Sequence, residues 1–330
     1  MKIAVIGGGS WGTTLADLLA GNSIHASLWI REEELLAEIK EKGENSWYLP
    51  GVKLHPNLAL SSDLAETASG ADVFLFVVPC QFYRAVLRQM RPMFPKNPVI
   101  VCANKGIEVE NLKTVSQVTG EELSDLAPSF AMLSGPSFAY EVSRRMPTAI
   151  VLGCADQELG KKLQAAFSNE YFRVYTNTDF RGVELGGAVK NVIAIAAGMS
   201  DGLGFGHNSR AALITRGLAE MSRLGQAMGA RIDTFMGLAG MGDLVLTCTG
   251  DLSRNRQVGM KLGRGEKLDH IVGEMKMVAE GVKTTQALHA LGRKLDVDLP
   301  ITDTVHAILY QDKDPKIAVR ELMTRELKSE

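Results

Sequence analysis

One run of glycines and four short segments carrying lysine, aspartate or arginine hold the residues best suited to chemistry in this 330-residue chain. Gly7-Gly8-Gly9-Ser10-Trp11-Gly12 follows an apolar run at residues 3–6 and leads into a helical stretch at residues 13–20. Strand before and helix after give a GxGxxG pattern its meaning. Gly7 permits the tight turn, Gly9 lets a pyrophosphate approach the backbone, and Gly12 lets helix pack on strand. Free N–H groups at the start of that helix then bind phosphate. The bland alternative is a glycine-rich turn with no ligand. Gly237-Leu238-Ala239-Gly240-Met241-Gly242 is a control: it is as rich in glycine, but it follows helical sequence and reads as a loop.

The second apolar run ends at Ile30-Arg31, about 20 residues past the glycines, where NAD-specific proteins place an acidic residue for the ribose. Arg31 favours NADP, because a guanidinium pairs with the 2'-phosphate. Glu32, Glu33 and Glu34 follow at once and either support a helix N-terminus or hydrogen-bond a ribose, so NAD stays open.

Asn104-Lys105-Gly106 comes straight after the apolar run at residues 99–103 and places Lys105 just past the carboxyl end of a strand, where ligands lie in open α/β sheets. Leu133-Ser134-Gly135-Pro136-Ser137-Phe138-Ala139 repeats the arrangement one strand later. Its turn either brings backbone N–H groups to a bound molecule or merely starts a helix. Glu184-Leu185-Gly186-Gly187-Ala188-Val189-Lys190-Asn191 sets Lys190 in an apolar helix of small residues, where an unpaired ammonium is costly. It marks a site or snorkels to the surface. Farther on, Gly242-Asp243-Leu244 supplies a carboxylate, and Ser253-Arg254-Asn255 supplies an arginine and an amide after a residue able to cap a helix.

These segments need a frame. Apolar runs at residues 3–6, 26–29, 73–78, 99–103 and 130–133 alternate with helical stretches, as βαβ units of a parallel sheet do, and residues 149–152 and 172–175 extend the series. After residue 178 the chain turns to long helical segments at 181–199, 208–228 and 281–295. The expected fold is α/β: a Rossmann-type doubly wound, mostly parallel sheet over residues 1–178 as the dinucleotide-binding domain, then an all-α substrate-binding and catalytic domain over 179–330. The length agrees with two cores. A net charge of -2 with no basic run argues against nonspecific nucleic-acid binding. The four cysteines lack metal-ligand spacing and read as buried free thiols, and no metal is expected. The first residues leave no room for a signal peptide, and the longest apolar stretch, 188–199, falls short of the roughly 20 residues of a membrane span. A cytoplasmic chain without membrane insertion is the expectation.

The whole chain resembles the NAD(P)-dependent glycerol-3-phosphate dehydrogenase family of the bacterial biosynthetic type. The likeness rests on the Gly7 to Gly12 motif, Asn104-Lys105-Gly106, Gly135-Pro136-Ser137-Phe138-Ala139, Val189-Lys190-Asn191, Gly242-Asp243-Leu244 and Ser253-Arg254-Asn255, all in the family's order, with Leu299-Pro300-Ile301-Thr302 and Lys313-Asp314-Pro315 matching its tail. The resemblance implies reversible hydride transfer between NADPH or NADH and dihydroxyacetone phosphate, giving sn-glycerol 3-phosphate for phospholipid synthesis, by a homodimer. It implies that Lys190 is the general acid/base, and that Lys105 and Asp243 act with it. Substrate contacts are implied for Gly135, Ser137, Ser253, Arg254 and Asn255. Cofactor contacts are implied for Ser10, Trp11, Arg31, Lys105, Ala139, Arg254, Val278 and Glu280, beside Gly7, Gly9 and Gly12. Arg145 stands where the family has glycine, and His207 where it often has an acidic or amide residue. Two rivals share the fold: a β-hydroxyacid or keto-acid dehydrogenase, which has no need of the Ser253-Arg254-Asn255 cluster, and a noncatalytic nucleotide sensor, which has no need of Lys105, Lys190 and Asp243.

Overall fold

The computed structural model describes residues 1–275, 278–324 and 326. The apolar runs become strands of one sheet: β1 Lys2–Ile6, β2 His25–Trp29, β3 Ala59–Ser61, β4 Val73–Phe76, β5 Val99–Cys102, β6 Ser129–Ser134, β7 Thr148–Cys154 and β8 Phe172–Asn177. Their order is β3-β2-β1-β4-β5-β6-β7-β8. β1 has parallel partners on both sides, with Ile3 opposite Ala26 of β2 and Val73 of β4. β7 reverses, running antiparallel to β6 with Leu133 opposite Leu152, and β8 follows it in parallel. This is the doubly wound, mostly parallel sheet that the alternation predicts.

Both faces of the central strands β1, β4 and β5 are buried, which is why they read as unbroken apolar runs, whereas β8 at the edge exposes alternate residues. Val5, Leu28, Val101 and Leu133 pack on one face with Leu15 and Leu19 of the helix Ser10–Gly21. On the other, Phe74 meets Phe94 edge-on at 4.8 Å and Phe76 meets Tyr83 at 5.2 Å. β3 was not expected. It is three residues long, too short for any periodicity, and is held by Ser27 opposite Ala59 and by the Ile30 N–H on the Ser61 carbonyl.

The chain divides into two units. The first comprises Met1–Lys105 and Lys113–Glu184, the second Gly106–Leu112 and Leu185–Glu330. The second is built of helices, including Phe180–Gly202 from Leu185 onward, His207–Ala227, Asp243–Thr249, Arg254–Gly263, Glu280–Leu295 and Pro300–Tyr310. Val189, Ile193, Met221, Phe235, Leu244 and Leu288 lie in its core. The apolar stretch at 188–199 belongs to a helix of 23 residues, long and apolar enough to cross a membrane, but 94% of its most apolar window is buried within the protein. That burial marks a core helix. The segment expected as a loop, residues 237–242, instead winds into a π-helical turn, Leu238–Gly242, with the Gly242 N–H bonded to the Gly237 carbonyl five residues back. Glycine content reads as loop in sequence, but here it lets the wide turn run straight into the helix Asp243–Thr249.

Arg145 has φ of 58°, in the left-handed region. A glycine adopts that conformation without steric cost, which accounts for the family's preference and makes Arg145 a tolerated exception. His207 is the first residue of the helix His207–Ala227 and is exposed. All four cysteines are buried thiols outside any disulfide.

Candidate active site

In the first unit the turn after β1 is shaped by two close approaches. Gly7 has φ of +127°, and a Cβ there would stand 3.0 Å from the Val77 carbonyl carbon; a Cβ on Gly12 would stand 1.9 Å from the Gly7 carbonyl oxygen. Only glycine lets the chain fold back this tightly. A Cβ on Gly9 would meet nothing within 4 Å. Gly9 precedes the helix Ser10–Gly21, which has no side-chain cap, and the first helical amide with an internal acceptor is Thr13, on the Gly9 carbonyl. The indole N–H of Trp11 is buried without a hydrogen-bond partner. A tight glycine turn, open space at its tip and an uncapped helix N-terminus are what a pyrophosphate requires, so these residues fit a dinucleotide. Ala139 lies against the same helix, its carbonyl accepting from the Thr14 hydroxyl at 3.3 Å. Arg31 stands at the end of β2, exposed, with its guanidinium on Glu32 at 2.7 Å.

Lys105 leaves the end of β5 and donates from Nζ to the Gly135 carbonyl at 3.2 Å. The same carbonyl accepts from the Ser137 hydroxyl at 2.9 Å. The carboxyl ends of β5 and β6 thus bring Lys105, Gly135 and Ser137 together.

In the second unit Lys190 is 6% exposed and Asp243 1%. Lys190 Nζ lies 2.5 Å from Asp243 Oδ1 and 2.8 Å from Thr247 Oγ1. The Thr247 hydroxyl in turn donates to the Asp243 carbonyl at 2.6 Å. Thr247 follows Asp243 by four residues on one helix, so both face the ammonium. A buried charge keeps its proton at reasonable cost only when acceptors replace its water, and here a carboxylate and a hydroxyl do so. Thr247 escaped the sequence reading, although its i+4 spacing from Asp243 was a usable signal. Cys248, the next residue, is pushed up to about 12 by burial and stays a neutral thiol.

A chain of hydrogen bonds extends from the residue after Lys190. Asn255 Nδ2 donates to Asn191 Oδ1 at 2.9 Å, and Asn255 Oδ1 accepts from the Gly281 N–H at 3.0 Å. Glu280, beside Gly281, opens the helix Glu280–Leu295. Ser253 caps the helix Arg254–Gly263, accepting from the Arg256 N–H. Arg254 donates from Nη1 to the Val278 carbonyl at 2.9 Å; burial draws its pKa down and Glu280 opposes this. Arg256, not expected, is buried and bridges Asp201 at 2.8 Å and Asp251 at 2.9 Å, fixing the start of that helix. The residues expected from sequence therefore fall into two groups, one in each unit.

The model of the NAD-dependent glycerol-3-phosphate dehydrogenase N-terminus matches residues 2–160, and that of the C-terminus matches residues 179–320. Among curated proteins, the glycerol-3-phosphate dehydrogenase [NAD(P)+] of Solidesulfovibrio magneticus is 63% identical over 330 residues, all of both chains. Its counterpart in Maridesulfovibrio salexigens is 62% identical over the same span. Among solved structures, the glycerol-3-phosphate dehydrogenase of Coxiella burnetii superposes with a TM-score of 0.94 at 40% identity, covering 98% of this chain and 99% of that one. With a glycine turn fitted to a dinucleotide, a buried lysine–aspartate pair and both halves matched in order, the chain belongs to the NAD-dependent glycerol-3-phosphate dehydrogenase family, nicotinamide-dependent oxidoreductases.

Proposed function

We propose that this chain reduces dihydroxyacetone phosphate to sn-glycerol 3-phosphate with Lys190 as the general acid, the first unit binding the dinucleotide and the second carrying proton transfer. The bound nicotinamide supplies the hydride to the ketone carbon. Lys190 gives its proton to the carbonyl oxygen as charge develops there, and takes it back in the reverse direction. Asp243 and Thr247 hold the ammonium still, so the proton sits at a fixed Nζ. Lys105, beside the Gly135 carbonyl, and Ser137 make the first unit's contacts with substrate. Arg254 and the helix start at Ser253 suit a phosphate dianion, through a guanidinium and backbone N–H groups. Both ends of the Asn255 side chain are already engaged, so Asn255 serves that phosphate through its backbone N–H.

The buried ammonium of Lys190, held at 2.5 Å by Asp243, is the single observation that carries this reading. A noncatalytic nucleotide sensor has no use for it, and the Ser253-Arg254-Asn255 helix start offers more anion donors than a single carboxylate of a keto acid requires. The working form is a cytoplasmic homodimer that supplies phospholipid synthesis; resemblance supports this, and light scattering at twice the chain mass would accord with it. The test of the reaction is the initial rate of NADPH and NADH oxidation with dihydroxyacetone phosphate. Rapid oxidation of either is expected. Lys190→Ala should lose turnover by about 100-fold or more while binding reduced cofactor as before. Near-normal turnover in that variant would remove Lys190 from the mechanism.

A further inference from the structure

Beside the Trp11 indole, two more buried side chains of the first unit have no hydrogen-bond partner. Asn104 and Ser134 are 5% and 2% exposed. Neither the amide oxygen nor the amide nitrogen of Asn104, nor the hydroxyl of Ser134, has a hydrogen-bond partner. Buried polar groups are almost always bonded, so orphans need a reason. β5 and β6 are parallel, with Cys102 opposite Met132. Continuing that register two residues sets Asn104 level with Ser134, at the carboxyl ends of both strands. Each immediately precedes a member of the Lys105–Gly135 contact.

The sheet order places this pair across the glycine turn from Arg31: β2, then β1, then β4, then β5 and β6. Three strand spacings separate the ends of β2 and β5, roughly 14 Å in all. A dinucleotide whose adenosine half is read at β2 and whose phosphates lie on the β1 turn therefore brings its nicotinamide half towards β5 and β6. The nicotinamide ring bears a primary carboxamide, with a carbonyl acceptor beside an NH2 donor. An asparagine amide with both ends free is its direct complement, the nitrogen donating to that carbonyl and the oxygen accepting from that NH2. A hydroxyl adds one further bond. The phosphate of the substrate would call for a cation, which neither side chain provides.

We propose that Asn104, assisted by Ser134, anchors the carboxamide of the nicotinamide and so fixes the rotation of its ring, an assignment that rests on the dinucleotide reading of the first unit. Asn104 is a positioning residue, and its effect is on binding. Asn104→Leu keeps the volume and removes the amide. Dissociation constants for NADPH and NADH, read from the fluorescence of the reduced ring, should rise roughly tenfold or more. ADP-ribose and its 2'-phosphate, which lack the ring, should compete equally well with wild type and variant. The ligand-free variant should melt no lower than wild type, since the amide it loses has no partner there. The 3-acetylpyridine analogue, which lacks the NH2 group, should bind wild type more weakly than the parent cofactor, and Asn104→Leu should lose that preference. Ser134→Ala should weaken the reduced cofactors several-fold, and it carries the same comparison should Asn104→Leu not fold. Unchanged affinity for reduced cofactor, with ADP-ribose still bound, overturns the carboxamide assignment alone. Equal loss of ADP-ribose affinity overturns it in favour of a structural role. Failure of wild type to bind ADP-ribose overturns the dinucleotide reading and this assignment together.

Discussion

Removing an ammonium from water costs several kcal/mol unless other groups replace its hydration, and the Asp243 carboxylate and the Thr247 hydroxyl do so for Lys190. The two acceptors have different duties. Asp243 supplies charge, whereas Thr247 supplies direction, because its own hydrogen is committed to the Asp243 carbonyl. Thr247→Val keeps the shape and deletes a hydrogen bond to a charged group, a loss of about 1.5 to 3 kcal/mol. Turnover should fall by roughly tenfold with cofactor affinity unchanged, as stopped-flow rates and fluorescence titration would show; unaltered turnover would mean that Thr247 does not position the ammonium. Arg31 poses the opposite case. Its pairing with Glu32 is exposed and adjacent in sequence, and such pairs contribute little. The guanidinium is easily redirected to a 2'-phosphate. Arg31→Ser should therefore weaken NADPH about tenfold or more and leave NADH nearly unchanged, lowering the ratio of kcat/KM values. An unchanged ratio would place cofactor choice on other residues.

The helix Pro300–Tyr310 begins without a capping residue of its own, and Glu220 from the helix His207–Ala227 reaches its first amides. The buried carboxylate accepts from the Ile301 and Thr302 N–H groups and from the Thr302 hydroxyl. Burial nevertheless pushes its pKa from 4.5 up to about 7. Between those values the folded chain holds a proton that the unfolded chain has released, so this group's contribution to stability falls as pH rises through the window. A shift of that size corresponds to about 3 kcal/mol. Glu220→Gln cannot titrate, and other groups cancel in the comparison. The wild-type advantage over Glu220→Gln, read from urea midpoints, should shrink between pH 4.5 and pH 7; a constant gap would show that Glu220 is ionised throughout. Such bonds mark the boundary of what sequence discloses. The doubly buried strands were legible because burial on two faces writes an apolar run, and the β1 turn because its glycines answer steric demands within six residues. β3 was too short to leave a pattern. The partner of Lys190 lies 53 residues away, and only the family resemblance, not any local spacing, points to Asp243. Residues 237–242 misled because glycine favours loops and close-packed turns alike. Asn104 looked unremarkable beside Lys105, since lacking a partner is a property of the folded surroundings.

Each unit has its own contiguous core, one around Val5, Leu28 and Leu133 and the other around Val189, Met221 and Leu288. The glycine turn that fits a pyrophosphate lies in the first, and the Lys190–Asp243 pair lies in the second, with Arg254, Val278 and Glu280. A ligand that binds only the folded state stabilises what it contacts by about 2.7 kcal/mol at one hundred times its dissociation constant. ADP-ribose offers phosphates and ribose to the β1 turn and β2, but neither a ring nor a reacting carbon. Local opening follows cooperative units, and amide exchange reads each unit's opening free energy separately. Saturating ADP-ribose should therefore slow exchange in β1, β2 and β4 and in the helix Ser10–Gly21, by up to about 100-fold. Amides of Lys190, Asn191 and the helix Glu280–Leu295 should exchange as in the free protein. Equal slowing in both cores would mean that they open as a single cooperative body, and stabilisation by the dinucleotide would then belong to the whole chain. Slowing confined to the second core would place the phosphates away from the glycine turn. Slowing confined to the first would make cofactor affinity and the Lys190 proton separately tunable properties of one chain.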